Sequence, residues 1–167
     1  NREAPRTEFV EFASRDEALM RSFERSDAYR SLDGVWKFHW VRNASERPSG
    51  IGAVDYDDAA WGSMPVPGMW ELNGYGDPVY VNIGYAWRGN FRNDPPYVPD
   101  VENHVGSYRL TFDIPASWGG KDIFLSIGSA TSNVYVWVNG RFVGYSEDSK
   151  LAAQFDITKF VKPGENL

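Results

Sequence analysis

Cysteine is absent from the 167 residues, which excludes disulfides and thiolate metal sites and leaves the cellular compartment open. Histidine is nearly absent: His39 and His104 stand far apart and form no zinc motif. No apolar run approaches the roughly 20 residues that a bilayer span requires, so a membrane is not an expected partner. Basic clusters are missing as well. The 17 Lys and Arg are outnumbered by 23 Asp and Glu for a net charge of −6, and no basic run exceeds a pair. Nucleic acid, which needs a positive face, is therefore not an expected partner either. Internal repeats and low-complexity tracts are also lacking.

Aromatic rings are plentiful at 16%, and they are interspersed with 16 Gly and 10 Pro. The length suits about one domain with a real core. Ser14-Arg15-Asp16-Glu17 fits a capping box ahead of Ala18-Leu19-Met20 and Phe23, predicting a helix of two or three turns. Gly34 to Val41 alternates in steps of two, with Trp36, Phe38 and Trp40 on one face. Tyr108 to Ile114 alternates more cleanly still and ends at Pro115. Short strands follow at Ile123 to Ile127, Asn133 to Val138, Arg141 to Tyr145 and Gln154 to Ile157, with Asn139-Gly140 a strong hairpin signal. Asp57-Asp58 ahead of Ala59-Ala60-Trp61 reads as the start of a helical turn.

Short strands separated by Gly and Pro turns, with one helix, predict an all-β fold: a β-sandwich of jelly-roll type with a short N-terminal helix and an extended N-terminal arm. The arm is placed at 1–30 and the domain at 31–167. The opening at Asn1, without Met or a signal-like segment, reads as a processed or excised piece. Pro163-Gly164-Glu165-Asn166 reads as a turn and Leu167 as the first residue of a following strand. The expected domain is thus truncated before its last strand.

Two stretches carry the functional signal. Asp77 to Gly106 is crowded with rings, asparagines and the prolines Pro95, Pro96 and Pro99, the composition of a shaped loop. The second runs from Val136 to Thr158 and sets the polar turn Ser146-Glu147-Asp148-Ser149 between hydrophobic strands. Amides and rings on one loop and carboxylates on the other suit a neutral polyhydroxylated ligand, a sugar. Trp36, Phe38, Trp40, Tyr108, Phe112 and Phe155 are read as core. The loop rings Trp70, Tyr75, Tyr80, Tyr85, Trp87, Phe91 and Tyr97 serve either a ligand or interface, or the packing of their own loop. Asn82 either meets a sugar hydroxyl, which an amide can both donate to and accept from, or braces its loop. Asp148 either forms an Asx-type turn or accepts from a hydroxyl or binds a cation. Glu147 and Asp148 are adjacent and diverge in extended backbone, so they make a poor acid and nucleophile pair for glycoside cleavage. Asn43-Ala44-Ser45 matches a glycosylation sequon, a pattern common by chance.

Pro65-Val66-Pro67-Gly68-Met69-Trp70-Glu71, followed by Gly74 to Asn82, resembles the N-terminal domain of glycoside hydrolase family 2. So do Pro95-Pro96-Tyr97-Val98-Pro99, Gly106-Ser107-Tyr108-Arg109, Val138-Asn139-Gly140 and Gly144 through Ser149. Asn1-Arg2-Glu3 and Leu32 to Phe38 look like its start, so the likeness spans nearly the whole chain, and its loop motifs look like the β-galactosidase branch. The resemblance implies a jelly-roll, galactose-binding-domain-like β-sandwich that is not itself catalytic. In the parent, a retaining β-galactosidase, a barrel domain of the same polypeptide would carry the acid/base and nucleophile glutamates. It further implies that Asn82 and Asp148 bind the galactose of a β-galactoside. Asp148 would also ligate a sodium ion in the full-length enzyme, magnesium would belong only to the barrel, and this chain alone would require no cofactor. The expected parent is a soluble, cytoplasmic homo-oligomer, the periplasm being the alternative. Ala86, the lengthened Arg88 to Asp94 and Gln154, at a place usually acidic, depart from the family pattern. A free-standing carbohydrate-binding module and a purely structural interface domain are the other readings.

Overall fold

The computed structural model describes residues 2–7, 9–78 and 95–167. The chain divides into two compact units, one of residues 1–32, 52–55 and 111–167, the other of 33–51 and 56–110. Among the described residues no helix is long and apolar enough to cross a membrane.

In the second unit, strand β1 (Gly34–Val41) lies between β2 (Gly62–Val66) and β3 (Val105–Arg109), antiparallel to both. The alternation read in β1 places Phe38, 1% exposed, at the centre of the sheet with Met64 of β2 fully buried near it in the fold. Around Phe38 stand Tyr108 and Tyr75, with ring centroids 4.6 and 4.7 Å away, and Trp70 at 6.2 Å. The indole Nε1 of Trp70 donates to Tyr108 Oη. Two loop rings, Trp70 and Tyr75, are thus spent on packing, whereas Tyr97 is exposed. Gly106 makes this close approach feasible: a Cβ there would lie 2.6 Å from Trp70 Cζ2 and 2.8 Å from Phe38 Cε2. Strand β2 escaped the sequence reading because it carries Pro65, which cannot donate to a ladder and is tolerated because β2 lies to one side of the central β1 and pairs, among the described residues, with β1 alone.

On the ladder between β1 and β3, Lys37 is directly opposite Arg109, a like-charge pair that would repel on its own. Asp58 resolves the conflict. Lys37 Nζ donates to its Oδ1, and Arg109 Nε donates to its Oδ2 at 2.8 Å. Arg109 is buried; its Nη1 also donates to the Ile51 carbonyl, and its guanidinium lies 5.6 Å from the Tyr56 ring centroid. The predicted helical turn at Asp57-Asp58 is instead a tight turn, with Ala59 N donating to Asp57 Oδ1 at 3.0 Å.

The first unit is built from three antiparallel pairs. Strand β4 (Phe112–Ile114) pairs with β9 (Gly164–Asn166), β5 (Phe124–Ile127) with β8 (Ala153–Asp156), and β6 (Val134–Val138) with β7 (Arg141–Ser146). Val136, Val138, Val143, Ala153, Phe155 and Ile157 form its buried core. The Asn139-Gly140 turn closes the β6–β7 hairpin with both residues at positive φ, 50° and 81°, as its sequence demands. Asn139 Nδ2 also donates to the Phe160 carbonyl at 2.9 Å and to Asn166 Oδ1 at 2.8 Å. Strand β9 starts at Gly164, three residues before the position read for a new strand.

Two further expectations change. The segment from Tyr108 to Ile114 is two strands, because pairing switches from β1 to β9 after Arg109 while the polar and apolar alternation of the sequence continues without a break. The helix, α1 (Arg15–Leu19), is five residues long rather than two or three turns. Its N-cap is Ser14, as read, with Oγ accepting from Glu17 N, but the reciprocal half of the capping box is displaced by one residue: the Glu17 carboxylate accepts from Ala13 N, both bonds being 3.2 Å. Leu19 and Met20 stay exposed, so no packed apolar face extends it.

The Asp58 carboxyl is held below the usual carboxylate value, chiefly by the hydrogen bond from Lys37 and then by that from Arg109, against the opposing effect of burial. A depressed carboxylate contributes stability that is complete above the unfolded-chain value of about 4 and disappears as pH falls through the lower folded value. Asp58→Asn should therefore cost about 1–2 kcal/mol at neutral pH. In urea unfolding followed by circular dichroism, the gap from wild type should close below about pH 4; a gap independent of pH contradicts the arrangement.

Candidate functional site: the loop after β7 and the N-terminal arm

Strand β7 carries the chain from the hairpin into the polar turn. Its Gly144 lies against the fully buried Phe155 of β8: a Cβ at 144 would sit 2.9 Å from Phe155 Cδ1 and Cε1. Ser146 is still buried; Glu147 and Asp148 emerge into solvent. The turn is closed by backbone groups, Ser149 N donating to the Glu147 carbonyl at 2.9 Å and Leu151 N to the Asp148 carbonyl at 3.0 Å. The Asp148 carboxylate is thus not consumed by an Asx turn. It accepts from Arg2 Nη2 at 2.6 Å, and its side chain remains 48% exposed, open to a ligand.

Arg2 arrives there because the N-terminal arm runs along β8. Arg2 forms an antiparallel bridge with Phe155, and Glu3 N donates to the Gln154 carbonyl at 2.8 Å. Arg6 Nε and Nη2 both donate to Gln154 Oε1, at 2.8 and 2.5 Å, while Gln154 Nε2 donates to Ser126 Oγ at 2.9 Å. The neutral Gln154 therefore does the arm-docking that an acid would do with greater charge. The Arg6 guanidinium also stacks toward Phe9 and Phe124, 4.9 and 5.3 Å from their centroids.

Glu147 has a different partner from Asp148. Its Oε2 accepts from Tyr145 Oη at 2.7 Å, and that hydrogen bond, foremost, pushes the phenol up to about 12. Tyr145 therefore stays neutral and donating throughout the physiological range. The two adjacent carboxylates are held by different groups and do not act as a pair.

Asn82, the other residue expected at a sugar, lies outside the described residues, as do Tyr80, Tyr85, Ala86, Trp87, Phe91 and the stretch from Arg88 to Asp94. Asn43, of the sequon, is bonded within its own neighbourhood: Nδ2 donates to Glu46 Oε1 at 2.9 Å and Oδ1 accepts from Glu102 N at 3.1 Å. The sequence reading passed over Arg2 and Arg6 as a charged arm. The signal available for Arg2 was its place in the Asn1-Arg2-Glu3 opening, yet nothing local ties it to a residue 146 positions away.

Sodium at Asp148 can be tested against this geometry. Among the described residues no group of three or more His, Cys, Asp and Glu could hold a metal ion. One oxygen of Asp148 is already engaged by a guanidinium, which would repel a cation placed beside it. The described residues do not fit the ion.

Antiparallel strand pairs with little helix place both units in the all-β class. The family model for the sugar binding domain of glycosyl hydrolases family 2 matches residues 29–167, and the chain belongs to that family as this domain. A β-galactosidase of Priestia megaterium is 39% identical over 166 residues, covering 99% of this chain and 16% of that protein. One from Halalkalibacterium halodurans is 44% identical over 81% of this chain and 13% of its own length. The chain thus spans about one seventh of these relatives. Among solved structures, a β-glycosidase from Bacteroides vulgatus shares the fold, with TM-score 0.57 and 22% identity over 81% of this chain and 16% of that one. The Ruminococcus gnavus β-glucuronidase matches with TM-score 0.56 and 28% identity over 82% and 20%.

The Tyr145–Glu147 pairing can be checked by difference titration. The phenol absorbance that distinguishes wild type from Tyr145→Phe should appear near pH 12. In Glu147→Gln it should move down toward the ordinary value of about 10; an unmoved transition refutes the assigned cause.

Proposed function

We propose that this domain contributes Asp148, together with Asn82, to the galactoside site of a larger β-galactosidase that hydrolyses terminal non-reducing β-D-galactose residues with retention. The glutamates that cleave the bond belong to a barrel domain of the same polypeptide, which also holds any magnesium, and the parent is a homo-oligomer. The observation that carries this reading is the exposed Asp148 carboxylate, fixed by Arg2 yet half open to solvent, in a chain whose relatives include β-galactosidases. An ionised carboxylate accepts strongly from a sugar hydroxyl, and a charged hydrogen bond of this type is worth about 2 kcal/mol. Such a contact orients a monosaccharide but does not hold it unaided. Hydrolysis requires the paired carboxyls of the barrel.

Asp148→Ala in the whole polypeptide should lower kcat/KM for a β-galactoside by about 2 kcal/mol, roughly thirtyfold. Unchanged kinetics would remove Asp148 from the site. The 167-residue chain titrated with galactose by NMR should bind more weakly than about 1 mM. Sub-millimolar binding would instead favour a free-standing carbohydrate-binding module.

A further inference from the structure

We infer that Arg2 is a positioning residue for Asp148, supplying from within the chain the positive charge that a sodium ion would otherwise provide. The inference rests on the reading of Asp148 as a galactoside ligand. Three observations lead to it.

The first is the contact itself, a charge-assisted hydrogen bond of 2.6 Å between Arg2 Nη2 and Asp148 Oδ2. Exposed ion pairs usually contribute little, because two long side chains must be ordered to form them. Here most of that ordering is already done by other contacts. The Arg2 backbone bridges Phe155, Glu3 N is bonded to the Gln154 carbonyl, and Arg6 grips Gln154 twice. The Arg2 side chain is only 25% exposed.

The second is the room made for it. Gly144 lacks the side chain that would crowd Phe155, and the arm passes beside it: a Cβ there would lie 2.9 Å from the Phe155 ring and 3.7 Å, an ordinary contact, from Arg2 N. The arm therefore runs close beside β7, the strand that leads into the Asp148 turn.

The third is the charge inventory. Glu147, the neighbouring carboxylate, is turned to Tyr145 Oη, and no group of three or more His, Cys, Asp and Glu able to hold a metal occurs among the described residues. A second cation at Asp148 would share one negative charge with the guanidinium and be repelled by it. With Oδ2 committed to Arg2, Oδ1 is the oxygen that accepts from a sugar hydroxyl. The guanidinium fixes the plane of the carboxylate. Sugar binding should consequently depend on Arg2 and not on sodium.

The test measures the dissociation constant of isopropyl β-D-thiogalactoside, a non-hydrolysable galactoside, for the whole polypeptide by calorimetry. Equimolar sodium chloride and choline chloride buffers are compared. Wild type should bind equally in both. Arg2→Ala should bind about tenfold more weakly in choline, the loss of a charged hydrogen bond, and regain part of that affinity in sodium. Arg2→Lys should retain most of it. In an Asp148→Ala background, Arg2→Ala should add nothing further. Tighter wild-type binding in sodium overturns the inference, as does an Arg2→Ala effect that persists undiminished without Asp148. If Asp148→Ala weakens binding but Arg2→Ala does not, the inference alone fails. If Asp148→Ala itself changes nothing, the galactoside reading falls and takes this one with it.

Discussion

The first unit depends on one steric constraint: the ring of Phe155 must lie against a residue with no side chain. Gly144 meets it, and the two together fix the spacing of β7 and β8. A methyl at 144 would stand 2.9 Å from two ring carbons, closer than packed carbon atoms approach. The arm pairs with the backbone of the same residue, Arg2 bridging Phe155, which brings its guanidinium to the exposed carboxylate of Asp148. Rings set the geometry, and charge then acts within it.

The second unit follows a comparable logic with opposite ingredients. Phe38, Trp70, Tyr75 and Tyr108 interlock around Gly106, while Lys37 and Arg109, facing each other across a ladder, are reconciled by the single carboxylate of Asp58. A buried arginine is tolerable only when its donors are satisfied. Asp58, the Ile51 carbonyl and the Tyr56 ring surround this one.

Much of the fold was legible because strands write their burial as alternation. Trp36, Phe38 and Trp40 gave β1 with its observed bounds, and Asn139-Gly140 gave the hairpin. Alternation reports which face a residue occupies, not which strand lies beside it, so the change of partner between Arg109 and Phe112 left no trace. Pro65 concealed β2, because proline signals an interruption whereas an outer strand accepts it. At the candidate site, the polar turn stood out between hydrophobic strands, and Asp148 could be singled out from it. Its partner could not. Arg2 and Asp148 are brought together by backbone pairing of the arm with β8, a long-range event that neither segment encodes locally.

Asn139 has a consequence for anyone redesigning this hairpin. In an isolated two-residue turn, aspartate or glycine would serve at the first position almost as well. Here the amide nitrogen donates to the Phe160 carbonyl and to Asn166 Oδ1, while the amide oxygen accepts from Leu167 N at 3.0 Å. Aspartate would set a carboxylate against two oxygens, and glycine would remove all three hydrogen bonds, leaving Asn166 Oδ1 with Lys162 N. The interchangeability that turn libraries grant this position does not transfer: the letter is specified by its distant neighbours rather than by the bend it makes.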